Sequence, residues 1–185
     1  MHSLTEQAQY FSEMQEYLVK GSLDLFAGYG LPVKHAMGGA AVNIEGPAVM
    51  AVIGYAALTV RGSLLLLTSR AVVATLQPAE LRDEPPTEAL LRDVLGEFCN
   101  MLIGRMKNRL VSRGIAPLLS TPITIFGDDL KLPVPTSGVS AWLRFSSPAG
   151  DIHVRLDASF EADFALSAQD PSVAPPPLEG DTILF

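Results

Sequence analysis

The residues best suited to chemistry in this chain are Glu97 and Asn100, within the run Glu97-Phe98-Cys99-Asn100-Met101-Leu102-Ile103-Gly104. At about 100° per residue, a helix through this run places Glu97, Asn100, Gly104 and Lys107 on one stripe. Leu91, Leu95, Phe98, Leu102, Met106 and Leu110 fall on the opposite face, so the stripe is displayed to solvent. A carboxamide accepts a hydrogen bond through its oxygen, donates through its nitrogen and is uncharged at any physiological pH. Those properties suit holding a water molecule, and Asn100 is the candidate for that task. Gly96 and Gly104 are each less favourable than alanine by about 1 kcal/mol inside a helix. Their presence predicts that something approaches the backbone closely, and makes Gly96, Gly104 and Lys107 the docking candidates.

The stripe needs a long helix to carry it. Thr87 is a suitable N-cap, Glu88 a favourable first-turn anion, and Gly114 a stop after Arg113. At ~1.5 Å per residue this helix is about 39 Å long. A first helix is predicted over Thr5 to Phe26, where Tyr10, Phe11, Met14, Leu18, Leu25 and Phe26 recur at helical spacing before Gly28 and Gly30. Ala41 to Leu58 and Ser63 to Thr68 are rich in apolar and β-branched residues. Joined by Thr59-Val60-Arg61-Gly62, they predict a hairpin. Ser69 caps a short helix through Leu76, which Pro78 stops, and the acidic stretch Pro78 to Pro86 is a loop. Thr121 to Phe126 is a strand that Pro122 assigns to a sheet edge. A second hairpin pairs Ala141, Leu143 and Phe145 with Ile152, Val154 and Leu156 around Ser147-Pro148-Ala149-Gly150. Its polar side carries Arg144, His153 and Arg155.

Leu91 to Lys107 resembles the ExxN helix of the CheX and CheC chemotaxis phosphatases, with Glu97, Asn100, Met101 and Gly104 in register. Val52-Ile53-Gly54-Tyr55 and Arg61-Gly62-Ser63-Leu64 resemble that family's strand signatures, and Leu119-Ser120-Thr121-Pro122 with Gly127 resembles its STP strand and glycine turn. The likeness covers roughly residues 45 to 157, in the family's order. It implies an α/β (α+β) fold, a mostly antiparallel sheet with two long helices packed on one side. It also implies hydrolysis of the aspartyl phosphate of a CheY-like response regulator. In that reaction Asn100 orients the water, and Glu97 docks and aligns by pairing with the receiver's active-site lysine. The implied Mg²⁺ is carried by the phosphorylated partner, so no cofactor of this chain's own is expected. Relatives commonly form homodimers through sheet edges. The first helix has Glu13 and Glu16 but no Asn three residues on, so a single site is expected, as in the CheX branch.

Length and composition narrow the alternatives. A chain of 185 residues fits one domain, 1–166, with a Pro-rich tail, 167–185, that contains Pro171 and Pro175-Pro176-Pro177. A net charge of −7 argues against nucleic acid as a partner. Arg61 and Arg70 interrupt the longest apolar stretch, which argues against a membrane span. Met1 to Gln9 has no export-signal pattern, so the cytoplasm is the expected location. The lone Cys99 is expected in the core, and His2, His35 and His153 have no metal-ligand spacing, so no metal site is predicted. Gly38-Gly39 lacks the sequence of a phosphate-binding loop. Two other readings remain open: a non-catalytic adaptor of CheX or FliM type that binds receivers or flagellar components, and a small-molecule sensor suggested by the Gly-rich, apolar residues 28 to 67.

Overall fold

The computed structural model describes residues 2–36, 42, 44, 46–77, 85–128, 130 and 138–164. The expected tail, the Gly38-Gly39 pair and most of the expected loop at 78–86 lie outside them. The elements in chain order are α1 (His2–Gly28), β1 (Lys34–Ala36), β2 (Ala48–Ala56), β3 (Val60–Ser69), α2 (Arg70–Thr75), α3 (Glu88–Val111), β4 (Leu118–Leu119), β5 (Ile123–Gly127), β6 (Val139–Ser147) and β7 (Gly150–Phe160). The seven strands form one antiparallel sheet in the order β1-β6-β7-β3-β2-β4, with β5 also pairing β2. No helix among the described residues is long and apolar enough to cross a membrane.

Alternation along the strands gives the sheet two unlike faces. Ile53, Leu64, Leu66, Phe145, Val154 and Leu156 join Leu18, Phe26, Leu95 and Leu102 of the two long helices in the main core. The opposite face carries a smaller cluster of Ala48, Met50, Leu65 and Leu67, against which Val42, Ile44, Leu130 and Trp142 pack. The fold is therefore α+β, an antiparallel sheet with its long helices on one side, as the resemblance implies.

Local chemistry sets the helix ends. Ser69 Oγ accepts from the Val72 N–H and starts α2. Both long helices end in a glycine-terminated turn. Gly30 at φ 79° lets the Leu31 N–H reach the Phe26 carbonyl at 2.9 Å, and Gly114 at φ 77° lets the Ile115 N–H reach that of Leu110 at 3.0 Å.

Within the sheet, the structure corrects the sequence expectations in two places. The first hairpin turns at Ala57-Leu58-Thr59, and Arg61-Gly62 lies inside β3. Gly62 is a strand glycine: a Cβ there would run into the Asp157 carbonyl oxygen and come within 2.6 Å of the Tyr55 hydroxyl, which donates to that carbonyl at 2.8 Å. His153 and Arg155, expected on a polar side, are only 3% and 6% exposed because the second face is covered. Arg155 pairs with Asp157 at 2.8 Å and lies 5.7 Å from the Trp142 ring centre. Burial works to raise the Asp157 carboxyl, but hydrogen bonds from Arg155, Ser140 and Ser63 outweigh it and hold the group below the usual carboxylate range.

Candidate functional site

Helix α3 is fixed at its ends and along its flank. Thr87 Oγ1 accepts from the Leu90 N–H at 3.2 Å, closing the N-terminus. Leu91, Leu95, Phe98, Leu102, Met106 and Leu110 are all buried, as their spacing predicts. A second row grips α1. Arg105 donates to the Gly21 carbonyl at 2.7 Å, the Arg109 guanidinium lies 5.6 Å from the Tyr17 ring centre, and Arg113 meets the Glu13 carboxylate at 2.6 Å. Glu13, where a second site would need a free carboxylate, is thus held by an ion pair.

With its other sides occupied, α3 leaves its stripe outward. Glu97 and Asn100 are exposed, while Gly104 and Lys107 are partly covered. Nothing lies within 4 Å of where a Cβ on Gly104 would stand, so bare backbone faces outward there. Gly96, expected to clear space for a partner's loop, instead turns inward: it is buried, and a Cβ on it would meet Thr124 Cγ2 of β5 at 3.1 Å. Its missing side chain lets this chain's own strand pack close, which corrects its place among the docking residues. The helix period sets Met101 beside Asn100, one turn beyond Glu97. Glu97, Asn100, Met101 and Gly104 are then the corners of a diamond at i, i+3, i+4 and i+7. The sequence reading left Met101 out of the site, although its spacing from Glu97 was the available signal.

The patch lies on an open helix face. Two surface depressions, of about 540 Å³ around Gly54, Gly62, Ser120 and Asp157 and about 440 Å³ beside Pro32 and Pro148, contain none of its residues. The first of these gathers the three other sequence signatures, whose residues are occupied with one another. The Gly54 N–H donates to Ser120 Oγ at 2.9 Å, and the Ser120 N–H donates to the Gly54 carbonyl at 2.9 Å. Cys99 is fully buried as expected, and burial pushes its thiol up to about 12, which removes it as a nucleophile. Among the described residues no group of three or more His, Cys, Asp or Glu is placed to hold a metal ion.

The family model described as chemotaxis phosphatase CheX matches residues 49–146, more than half of the chain and all of α3. No curated protein matches the chain significantly. Among solved structures, a CheC-like superfamily protein from Shewanella sp. PV-4 is similar at 20% identity, over 79% of this chain and 97% of that one, with a TM-score of 0.68. The chemotaxis protein CheX from Vibrio vulnificus is similar at 19% identity, over 80% and 97%, also with a TM-score of 0.68. The CheX of a CheX–CheY–BeF₃–Mg²⁺ complex from Borrelia burgdorferi is similar at 18% identity, over 77% and 96%, with a TM-score of 0.62. At these identities the structural likeness is one of fold.

Proposed function

The chain belongs to the CheX chemotaxis phosphatase family, and from that premise we propose that it hastens hydrolysis of the aspartyl phosphate on a CheY-like response regulator. The observation that carries this reading is Glu97 and Asn100 exposed one helical turn apart, above the bare backbone of Gly104, on a helix otherwise packed into the fold. A patch on an open helix face suits a substrate that brings its own concavity, as a folded protein does.

An acyl phosphate is already activated, so the catalyst needs no nucleophile of its own; positioning and charge dispersal dominate. The Asn100 amide oxygen accepts a hydrogen bond from a water and turns its lone pair toward phosphorus, while the amide NH₂ donates to the phosphoryl group. As the bond from water to phosphorus forms, the bond from phosphorus to the aspartyl oxygen breaks. Inorganic phosphate and the free carboxylate result. Glu97 pairs with a lysine of the partner and aligns the two surfaces, an interaction that strengthens as the interface closes and excludes water. Lys107 extends the contact toward acidic groups around the phosphorylation site. The divalent metal of the reaction travels with the partner, and this chain adds no cofactor. Such a reaction places the protein in the cytoplasm, where its partner resides.

Two copies pair through the edge at β5 in the same reading. No described strand lies beyond it, and Ile123 and Ile125 are 65% and 41% exposed there. Light scattering on the purified chain tests this, with a dimer mass expected and a monomer at all concentrations refuting it.

For the catalytic claim, a CheY receiver is charged with acetyl phosphate, separated from the donor, and its phosphate lifetime followed with and without the protein. A substoichiometric amount should shorten the lifetime. Tight binding with an unchanged lifetime would make the protein an adaptor, and neither effect would remove the receiver as a partner.

A further inference from the structure

We infer that Met101 is the apolar wall of the receiver-docking site and that Tyr29, at the end of α1, is the positioning residue that holds it in place. This rests on the proposed phosphatase reading and deepens it. Methionine is unbranched with three rotatable bonds, so a half-exposed one on a helix normally samples several rotamers. This one is held. The Tyr29 hydroxyl donates to Met101 Sδ at 3.5 Å, and the Tyr29 ring meets Phe98 edge-on with ring centres 4.7 Å apart. Phe98 in turn stacks on Phe26 at 5.6 Å, so an aromatic ladder runs from the core to the edge of the patch.

The backbone beneath Tyr29 is fixed as well. Its N–H donates to the Leu25 carbonyl at 3.2 Å, and the left-handed Gly30 that follows closes the turn. Tyr29 nevertheless remains 44% exposed, although its ring meets Phe98 and its hydroxyl meets Met101. It is the end of the ladder that a partner would meet. A group seated over Gly104 lies between Asn100 and Met101, since residues three and four apart on a helix are surface neighbours. The amide then offers the polar contact and the thioether the apolar one, so the matching partner surface pairs its phosphorylated carboxylate with an adjacent apolar side chain. Tyr29 lies outside the residues that match the family model, so its grip on Met101 is not a feature by which the family match was made.

The test follows phosphate loss from the acetyl-phosphate-charged CheY receiver with the full chain and its variants, taking kcat and KM separately, with thermal melts to check folding. Met101→Ala should raise KM about tenfold with kcat within about twofold, as expected for truncating an apolar interface anchor. Met101→Leu should stay near wild type. Tyr29→Ala should raise KM about threefold, and Tyr29→Phe, which keeps the ring on Phe98 but loses the hydroxyl that donates to Met101 Sδ, should recover only part of that loss. Tyr29→Ala/Met101→Ala should be no worse than Met101→Ala alone, because Tyr29 acts through Met101. An unchanged KM in Met101→Ala, or a double variant whose effect is the product of the two singles, would overturn the assignment. If the wild-type chain does not hasten phosphate loss, the catalytic reading fails, and the wall is judged by affinity for the beryllofluoride-loaded receiver. A tenfold weaker Met101→Ala then supports it as a docking element, and equal affinity overturns it.

Discussion

Asn100→Ala should make the protein slightly more stable and far less active. Asn100 is exposed in the middle of α3, where alanine is the better helix former by up to about 0.7 kcal/mol. For a chain of this length that gain corresponds to a melting temperature higher by about 1–3 °C. Removing one preorganised hydrogen-bonding group from an active site typically lowers the rate by 10²–10³, or about 2.7–4 kcal/mol of transition-state stabilisation. The two measurements therefore move in opposite directions, which no structural role for the amide would produce. The assay pairs circular dichroism melts with phosphate release from a receiver charged with acetyl phosphate. Asn100→Gln should not rescue, since its extra methylene moves the amide by about 1 Å, enough to lose much of the rate. Acceleration retained within threefold by Asn100→Ala would refute the water-holding role, and a stability loss above about 1 kcal/mol would mean the amide is engaged in the fold.

Other perturbations follow from the same geometry. Glu97→Lys should weaken binding to the beryllofluoride-loaded receiver at least tenfold at low salt, given the coupling of about 1.5–7 kcal/mol seen for close interfacial charge pairs; an unchanged Kd by fluorescence titration would remove its docking role. Gly104→Ala places its methyl in open space and should raise helix stability by about 1 kcal/mol while impeding docking, so chemical denaturation and receiver titration should again diverge. Gly62→Ala drives a methyl into the Asp157 carbonyl and the Tyr55 hydroxyl and should destabilise by about 2 kcal/mol or more, seen as a melting temperature lower by at least about 4 °C. Burial holds His153 below the ordinary imidazole value, Arg144 adding to the effect and Asp151 opposing it. The unfolded chain then binds the proton more readily, so the histidine's stability contribution is complete above about pH 6.5 and falls as pH drops below it. Melts between pH 8 and pH 5 should show that slope, and His153→Leu should flatten it.

Much of this architecture is legible in the residues because local signals and tertiary packing agree. Thr87, Ser69 and Gly114 mark helix ends by capping chemistry that operates within a few residues, and each acts where expected. The second hairpin is equally plain, its turn at Pro148-Ala149 bounded by two alternating strands. What escaped depends on contacts between distant segments. A glycine such as Gly62 reads as a turn, but its function is to let Tyr55 reach across to Asp157, a relation invisible along the chain. Alternation shows that His153 and Arg155 share a face, not that Val42, Ile44, Leu130 and Trp142 line that face. Gly96 illustrates the same limit: helical phase puts it near the stripe, but only β5 reveals which surface claims the space. The patch itself was readable because Glu97, Asn100 and Gly104 belong to one regular helix, whereas Tyr29 reaches it from another element.

Arg105 and Arg109 of α3 and Arg113 just past its end meet α1 at Gly21, Tyr17 and Glu13, stepping one turn forward along one helix as they step one turn back along the other. Such a ratchet has one setting: sliding α3 by a single tooth would strand all three guanidinium contacts at once. The rod that bears the amide is therefore no piston, and under the proposed function any tuning of hydrolysis falls to competition for the outward strip or to how much of the phosphorylated partner is present to reach it.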